Sequence, residues 1–242
     1  MQNTITKEKI IIALDVSSKE EVFSIVETLG DDAVFYKIGL ELFSAYGSEI
    51  VLRLNEKKKK IFFDGKFFDI PNTVSSALRN IVKLNVDILN IHILGGKKMM
   101  TEAKKAITEE AKKLNITPPK LIGVTILTST SQDEVKTDMK VEQNINDLIL
   151  NLAQDAKTCG LDGVVSSPNE AKMIREKLGK DFLIITPGIR PAWSATNDQK
   201  RIMTPKEAIQ NGISHMVIGR PILKADNPKE ALKKVLQEIE AV

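Results

Sequence analysis

The chain has 242 residues, 42% of them hydrophobic, enough for one sizeable core and in line with the usual size of an eight-fold β/α barrel. Lys plus Arg (35) barely exceeds Asp plus Glu (32), and the resulting net charge of +3 gives no reason to expect a nucleic-acid partner. Cys159 is the only cysteine, which excludes an intramolecular disulfide and any cysteine-based zinc site.

Short β-branched runs alternate with amphipathic stretches along the whole chain. The first strand is predicted at Ile10–Asp15 and a helix follows at Lys19–Leu29; Ala33–Ile38 then leads into Glu41–Glu56. Ile61–Lys66 precedes Pro71–Leu84, and Val86–His92 precedes Lys97–Leu114. Leu121–Leu127 is followed, after a loop at Thr128–Glu142, by the helix Asn144–Gly160. Gly163–Ser166 pairs with Asn169–Leu178, Leu183–Thr186 with Pro205–Asn211, and His215–Gly219 with Pro228–Ile239. The Val/Ile content and brevity of the strands suit burial on both faces, as in a parallel barrel.

Helix-entry chemistry supports this segmentation. Asn72-Thr73, Ser167-Pro168-Asn169, Thr204-Pro205 and Asn227-Pro228 join capping side chains to first-turn prolines. Gly30, Gly160, Gly179 and Asn211-Gly212 close helices. The run Lys57–Lys60 reads as a solvated helix end, where cations suit the dipole. Eight strand–helix units without a composition break predict one α/β domain over residues 1–242, a single (β/α)₈ TIM barrel. A doubly wound open sheet competes, but no G-x-G-x-x-G turn follows the first strand. The long loops Thr128–Glu142 and Gly188–Lys200 are expected to be functional lids. The first ten residues carry no apolar signal core and no run approaches 18 apolar residues, so a cytoplasmic chain with no membrane partner is expected.

In such a barrel the C-terminal strand ends build the site. Here they carry Asp15, Lys37, Asp64, Lys66, His92, Thr125 with Thr128, Ser166, Pro187 and Gly219-Arg220, where a buried strand would ordinarily end in apolar or turn residues. In Asp64-Gly65-Lys66-Phe67-Phe68-Asp69, period-two alternation puts Asp64 and Lys66 on one face, with Asp69 past the strand. Two carboxylates flanking an ammonium keep it protonated, as a proton donor and a cation for developing negative charge. An internal salt bridge without chemistry is the other reading of the same string. Gly188-Ile189-Arg190 after strand seven and Gly219-Arg220 after strand eight form a phosphate site, with Gln199 in the intervening loop as a further donor.

These residues resemble the orotidine 5′-phosphate decarboxylase family in its bacterial form. The resemblance runs from Ile12-Ala13-Leu14-Asp15 and Tyr36-Lys37-Ile38-Gly39 through the Asp64–Thr73 string, Asn90-Ile91-His92 and Leu127-Thr128-Ser129. It continues through Thr186–Arg190, Asn197-Asp198-Gln199 and Val217–Pro221. Gly65 departs from the family, which has an aliphatic residue there, and a looser strand end is the expected result.

The resemblance implies decarboxylation of orotidine 5′-monophosphate to UMP, in de novo pyrimidine biosynthesis, without metal or organic cofactor. It implies that Lys66 stabilises and protonates a ring carbanion, within a charged array completed by Lys37, Asp64 and Asp69. Asp69 and Thr73 would come from the neighbouring subunit of a homodimer with shared active sites. Asp15 and Lys37 would hold ribose hydroxyls, Thr128 would read the pyrimidine, and Arg190, Gln199, Gly219 and Arg220 would bind phosphate. Sister barrels that reuse the same strand for Mg²⁺-assisted enediolate chemistry, and a nucleotide-sensing barrel without turnover, are the alternatives. His92 and His215 are expected to be structural; Trp193 either covers the closed site or packs within its loop; Cys159 is expected to be a small buried hydrophobe.

Overall fold

A computed structural model describes residues 6–194 and 203–241. Eight parallel strands close into a barrel in chain order: β1 (Ile10–Ala13), β2 (Phe35–Gly39), β3 (Lys60–Phe67), β4 (Ile88–His92), β5 (Lys120–Val124), β6 (Gly163–Val165), β7 (Leu183–Thr186) and β8 (His215–Ile218). The seam is the β1–β8 pairing, with Ile10 opposite Met216 and Ile12 opposite Ile218. This is the (β/α)₈ architecture expected from the alternation.

The apolar runs are continuous because both strand faces are buried. Ile11, Phe35, Phe62, Ile88, Ile122, Ile185 and Val217 form one inner cluster. Their neighbours Ile10, Tyr36, Ile61, Leu89, Leu121, Ile184 and Met216 join the larger cluster beneath the helices. At about 25 cal/mol per Å² of apolar surface, these two layers carry most of the driving force for folding.

The helices are α1 (Lys19–Leu29), α2 (Leu40–Tyr46), α3 (Glu49–Glu56), α4 (Pro71–Val82), α5 (Gly96–Leu114), α6 (Gln132–Thr137), α7 (Ile145–Thr158), α8 (Pro168–Leu178), α9 (Pro205–Gln210), α10 (Arg220–Leu223) and α11 (Pro228–Glu240). Ser18 caps α1 by accepting from the Glu21 amide, and Thr204 and Asn227 do the same for α9 and α11. Among the described residues, no helix is long and apolar enough to cross a membrane.

Several expectations need correction. The stretch Glu41–Glu56 is two helices, because Gly47 takes φ +57° and ends α2. The loop Thr128–Glu142 contains α6, closed by a capping box between Ser131 and Glu134. Strand five stops at Val124, and the Thr125 hydroxyl just beyond it bonds the Val165 carbonyl at 3.0 Å. Asn72 and Thr73 lie inside the first turn of α4 rather than capping it; the cap position is Ile70, without a side-chain bond. The Lys57–Lys60 run is more than a solvated helix end: Lys59 Nζ donates to the Gly30 and Ala33 carbonyls (2.8 and 3.0 Å), and Lys60 pairs with Glu8 at 2.8 Å.

Candidate active site

Period two along the inner face lifts polar side chains directly above the apolar layer. Lys37 stands two residues beyond Phe35, Asp64 two beyond Phe62, and Asn90 two beyond Ile88. The result is one connected charge array. Lys37 Nζ lies 2.8 Å from Asp15 Oδ1 and 3.4 Å from Asp64 Oδ2, while Lys66 Nζ lies 2.7 Å from Asp64 Oδ1.

Lys37 and Asp64 are both buried. Burial alone would discharge each of them. For Lys37 the neighbouring charges of Asp64 and Asp15 outweigh burial and hold its pKa above the ordinary lysine value. For Asp64, burial is overcome by Lys37, then by the charge and hydrogen bond of Lys66 and the bond from Asn90, so its pKa lies below the usual carboxylate range. Lys37 and Asp64 therefore both keep their charge at neutral pH.

Lys66 does not sit on a regular strand. The β3–β4 register shifts between Phe63 and Phe67, and Lys66 takes φ +44° within that irregularity. Simple alternation thus puts Lys66 beside Asp64 for an incomplete reason; the bulge aims the side chain. At Gly65 a Cβ would stand 2.6 Å from the Phe63 ring and 2.9 Å from the Phe67 ring, so a larger residue there would have to displace a ring. Those rings stack 6.0 Å apart across it.

Above the array opens a cavity of about 640 Å³. Its walls carry Asp15, Lys37, Asp64 and Lys66 on one side, and Thr128, Pro187, Gly188, Arg190, Gly219 and Arg220 around the rest. Lys224 and Glu41 also line it, giving five cations (Lys37, Lys66, Arg190, Arg220, Lys224) against three carboxylates (Asp15, Glu41, Asp64). That balance suits an anionic ligand. Gly188 takes φ +81°, a conformation suited to glycine. Gly219, at the cap of α10, has room for no larger residue without crowding Ala13, whose Cβ would be 3.3 Å away. The ends of the Gly188–Lys200 loop are tied together: Ile189 bridges Met203, and the Arg190 amide donates to the Met203 carbonyl at 2.9 Å. Gln199, expected in that loop, lies outside the described residues.

Other expected mouth residues are not brought into the cavity wall. Thr125 and Ser166 are buried behind it, and Val165 lines it instead. His92 packs against Phe68 at 5.7 Å. Burial and then the charge of Lys66 lower its pKa, so it is neutral at pH 7. Asp69 does not flank Lys66 within the chain. It is exposed, and its Oδ1 accepts from the Ile70 amide at 2.6 Å; Thr73 is exposed on the same side. The apolar side chains of Phe68 and Ile70 beside them are 61% and 66% exposed.

His215 begins β8, at the opposite end of the barrel, with its ring edge-on to Phe35 at 5.8 Å. Trp193 lines a shallow cavity with Arg220 and Lys224 and carries Lys234 over its ring. Cys159 is half-buried, at the C-cap of α7. Two residues that the sequence places in family motifs without a role acquire one here. Gly39 leaves room for the Lys37 ammonium, 3.2 Å from where its Cβ would be. Asn90, fully buried, bonds both Asp64 and the Lys66 amide. Among the described residues, no group of three His, Cys, Asp or Glu side chains is placed to hold a metal ion.

Comparison with known proteins gives a consistent result. The model of the orotidine 5′-phosphate decarboxylase / HUMPS family matches residues 8–235. The orotidine 5′-phosphate decarboxylase of Syntrophomonas wolfei subsp. wolfei is 46% identical over 235 residues, covering 97% of this chain and 98% of its own. That of Staphylococcus aureus (strain Newman) is 45% identical over 229 residues, covering 95% and 97%. The crystal structure of the Lactobacillus acidophilus orotidine 5′-phosphate decarboxylase superposes with a TM-score of 0.85 at 38% identity, over 95% of this chain and 98% of that one.

Proposed function

The chain belongs to the orotidine 5′-phosphate decarboxylase / HUMPS family, and we propose that it is the carboxy-lyase that converts orotidine 5′-monophosphate to UMP and CO₂ in pyrimidine biosynthesis, with residues 1–242 acting as one domain. The observation that carries this reading is the unbroken chain of charges Asp15–Lys37–Asp64–Lys66 along one wall of a cavity that also carries Arg190 and Arg220.

The bond that breaks joins the carboxylate to the pyrimidine ring, and its electron pair stays on the ring carbon as CO₂ leaves. Lys66 provides a fixed positive charge for that pair and then its proton; the neutral amine recovers a proton from solvent. Asp64 holds Lys66 in place and, with Lys37, sets the field around the reacting carbon. Lys37 and Asp15 also face the ribose hydroxyls, and Thr128 reads the pyrimidine edge. Arg190, Arg220 and the Gly219 backbone take the phosphate, with Gln199 from the loop between them. Phosphate binding lies far from the breaking bond, so its free energy is available to close the loop and exclude water, which strengthens the fixed charges. No step needs a metal or an organic cofactor.

Asp69 and Thr73 act in the site of a neighbouring subunit in a homodimer. Their exposure beside the uncovered Phe68 and Ile70 supports this, because apolar side chains this exposed mark association surfaces. The cytoplasm is the proposed location, supported by the single cysteine and the metabolic role of the family.

The test is the fall in ultraviolet absorbance when the protein meets orotidine 5′-monophosphate, with and without EDTA, beside Lys66→Ala. Turnover that ignores EDTA and collapses in the variant is the expected result. A folded wild-type protein without turnover, or one inactivated by EDTA, would move the assignment to the Mg²⁺-dependent sugar-phosphate branch of the family.

A further inference from the structure

Asn90 stands in the middle of β4, between the apolar Leu89 and Ile91, with none of its surface exposed. A buried amide there needs partners. It has two, and both belong to the charge array. Its Nδ2 donates to Asp64 Oδ1 at 2.7 Å, and its Oδ1 accepts from the backbone amide of Lys66, also at 2.7 Å. The orientation of the amide is fixed by chemistry, since an ionised carboxylate only accepts and a backbone N–H only donates.

The second bond falls where the backbone is unusual. Between the pairs Phe63–Leu89 and Phe67–Ile91 the register of β3 against β4 shifts, and Lys66 occupies the left-handed region at φ +44°. Lysine has no preference for that region, unlike Gly or Asn. The Lys66 N–H, displaced from the regular ladder, takes the Asn90 carbonyl as its acceptor instead. The first bond fixes the rotation of Asp64: with Lys66 Nζ and Asn90 both on Oδ1, only Oδ2 faces Lys37.

We propose that Asn90 is the positioning residue of this site, one side chain that sets both the backbone from which Lys66 reaches and the carboxylate that receives it. This inference rests on the decarboxylase reading above. Without Asn90 the bulge loses its side-chain acceptor, and Lys66 is free to return to extended backbone, which re-aims its ammonium. Misplacement on the ångström scale is costly to a proton donor. The phosphate grip, on the far wall, is untouched.

The titratable groups facing position 90 are Asp64 and Lys66 from β3, with Lys37 of β2 behind Asp64 and His92 two residues further along β4. Its β5 neighbour is the apolar Ile122. In Asn90→Asp the introduced carboxyl still accepts from the Lys66 amide. When ionised it opposes Asp64; when protonated it donates to Asp64 as the amide does.

The experiment measures kcat, KM and UMP affinity across pH for wild type, Asn90→Ala and Asn90→Asp, with folding checked by circular dichroism. Asn90→Ala should lower kcat about 10- to 100-fold at every pH, with UMP affinity held within about threefold. Asn90→Asp should show the same loss at high pH and recover towards wild type as pH falls, a trend wild type lacks. Folded variants within about twofold of wild type would overturn the proposal. So would equal losses of kcat and UMP affinity, or failure of both variants to fold, which would make Asn90 a stability residue. Wild-type protein without turnover would overturn the decarboxylase reading and this inference together, whereas active wild type with active variants removes the inference alone.

Discussion

The Lys66 ammonium meets Asp64 Oδ1 at 2.7 Å although the strand joining the two residues is irregular at Lys66 itself. Asp64 is the one carboxylate shared by both lysines of the array. Asp64→Asn should therefore lower kcat by at least about 10²-fold, as expected on disabling a positioned proton donor. It should also cost about 1–3 kcal/mol in urea unfolding, because Lys37 stays buried with Asp15 alone.

Gly39 limits how far the Lys37 ammonium can be displaced. In Gly39→Ala a methyl arrives 3.2 Å from Lys37 Nζ and 3.8 Å from Asp15 Oδ1. The backbone there has φ −97°, which alanine adopts freely, so the protein should fold as before. Lys37 must move, and kcat/KM should fall by about tenfold, the equivalent of one weakened charged hydrogen bond. Steady-state kinetics beside an unchanged melting curve would check this.

If Asp69 serves the partner's site, two inactive variants should rescue each other. Lys66→Ala and Asp69→Asn chains, mixed after dissociation and reassociated, place both lesions in one site of each mixed dimer and leave the other intact. Random reassortment should restore about a quarter of wild-type activity. Activity no higher than the sum of the parents would show that each chain completes its own site.

His215 supplies a stability term with a defined sign. Burial holds its pKa at about 4, below the ordinary value of 6.5. The unfolded chain therefore binds a proton that the folded one refuses, and this stabilisation is complete above pH 6.5 and fades as pH falls towards 4. The difference corresponds to about 3 kcal/mol. His215→Gln should flatten the unfolding free energy measured across that interval while leaving activity at neutral pH unchanged.

Most of the barrel was legible because burial on both strand faces writes β-branched runs into the chain, and Ser18, Thr204 and Asn227 mark helix starts chemically. The division at Gly47 was hidden by an apolar period that continues through it. The capping box of α6 was present as Ser131-x-x-Glu134, but a six-residue helix has too little periodicity to stand out. The charged residues of the array could be read because a buried strand seldom ends in charge, and one strand end after another does here. The role of Asn90 could not: it is a strand interior residue whose partners are set by the β3–β4 register. The left-handed backbone of Lys66 carries no signature in the identity of a lysine.

The inner layer of Ile11, Phe35, Phe62, Ile88, Ile122, Ile185 and Val217 fills the barrel directly below the array. Hydrocarbon responds weakly to an electric field and contains no mobile dipoles to turn against it. The stacked side chains thus act as an insulating floor, confining field lines to the open side, where the ligand lies. Enlarging or shrinking that floor should alter stability, but inserting a polar group in it would drain the potential above. The packing that closes the barrel is, in this sense, also the backplate of its electrostatics.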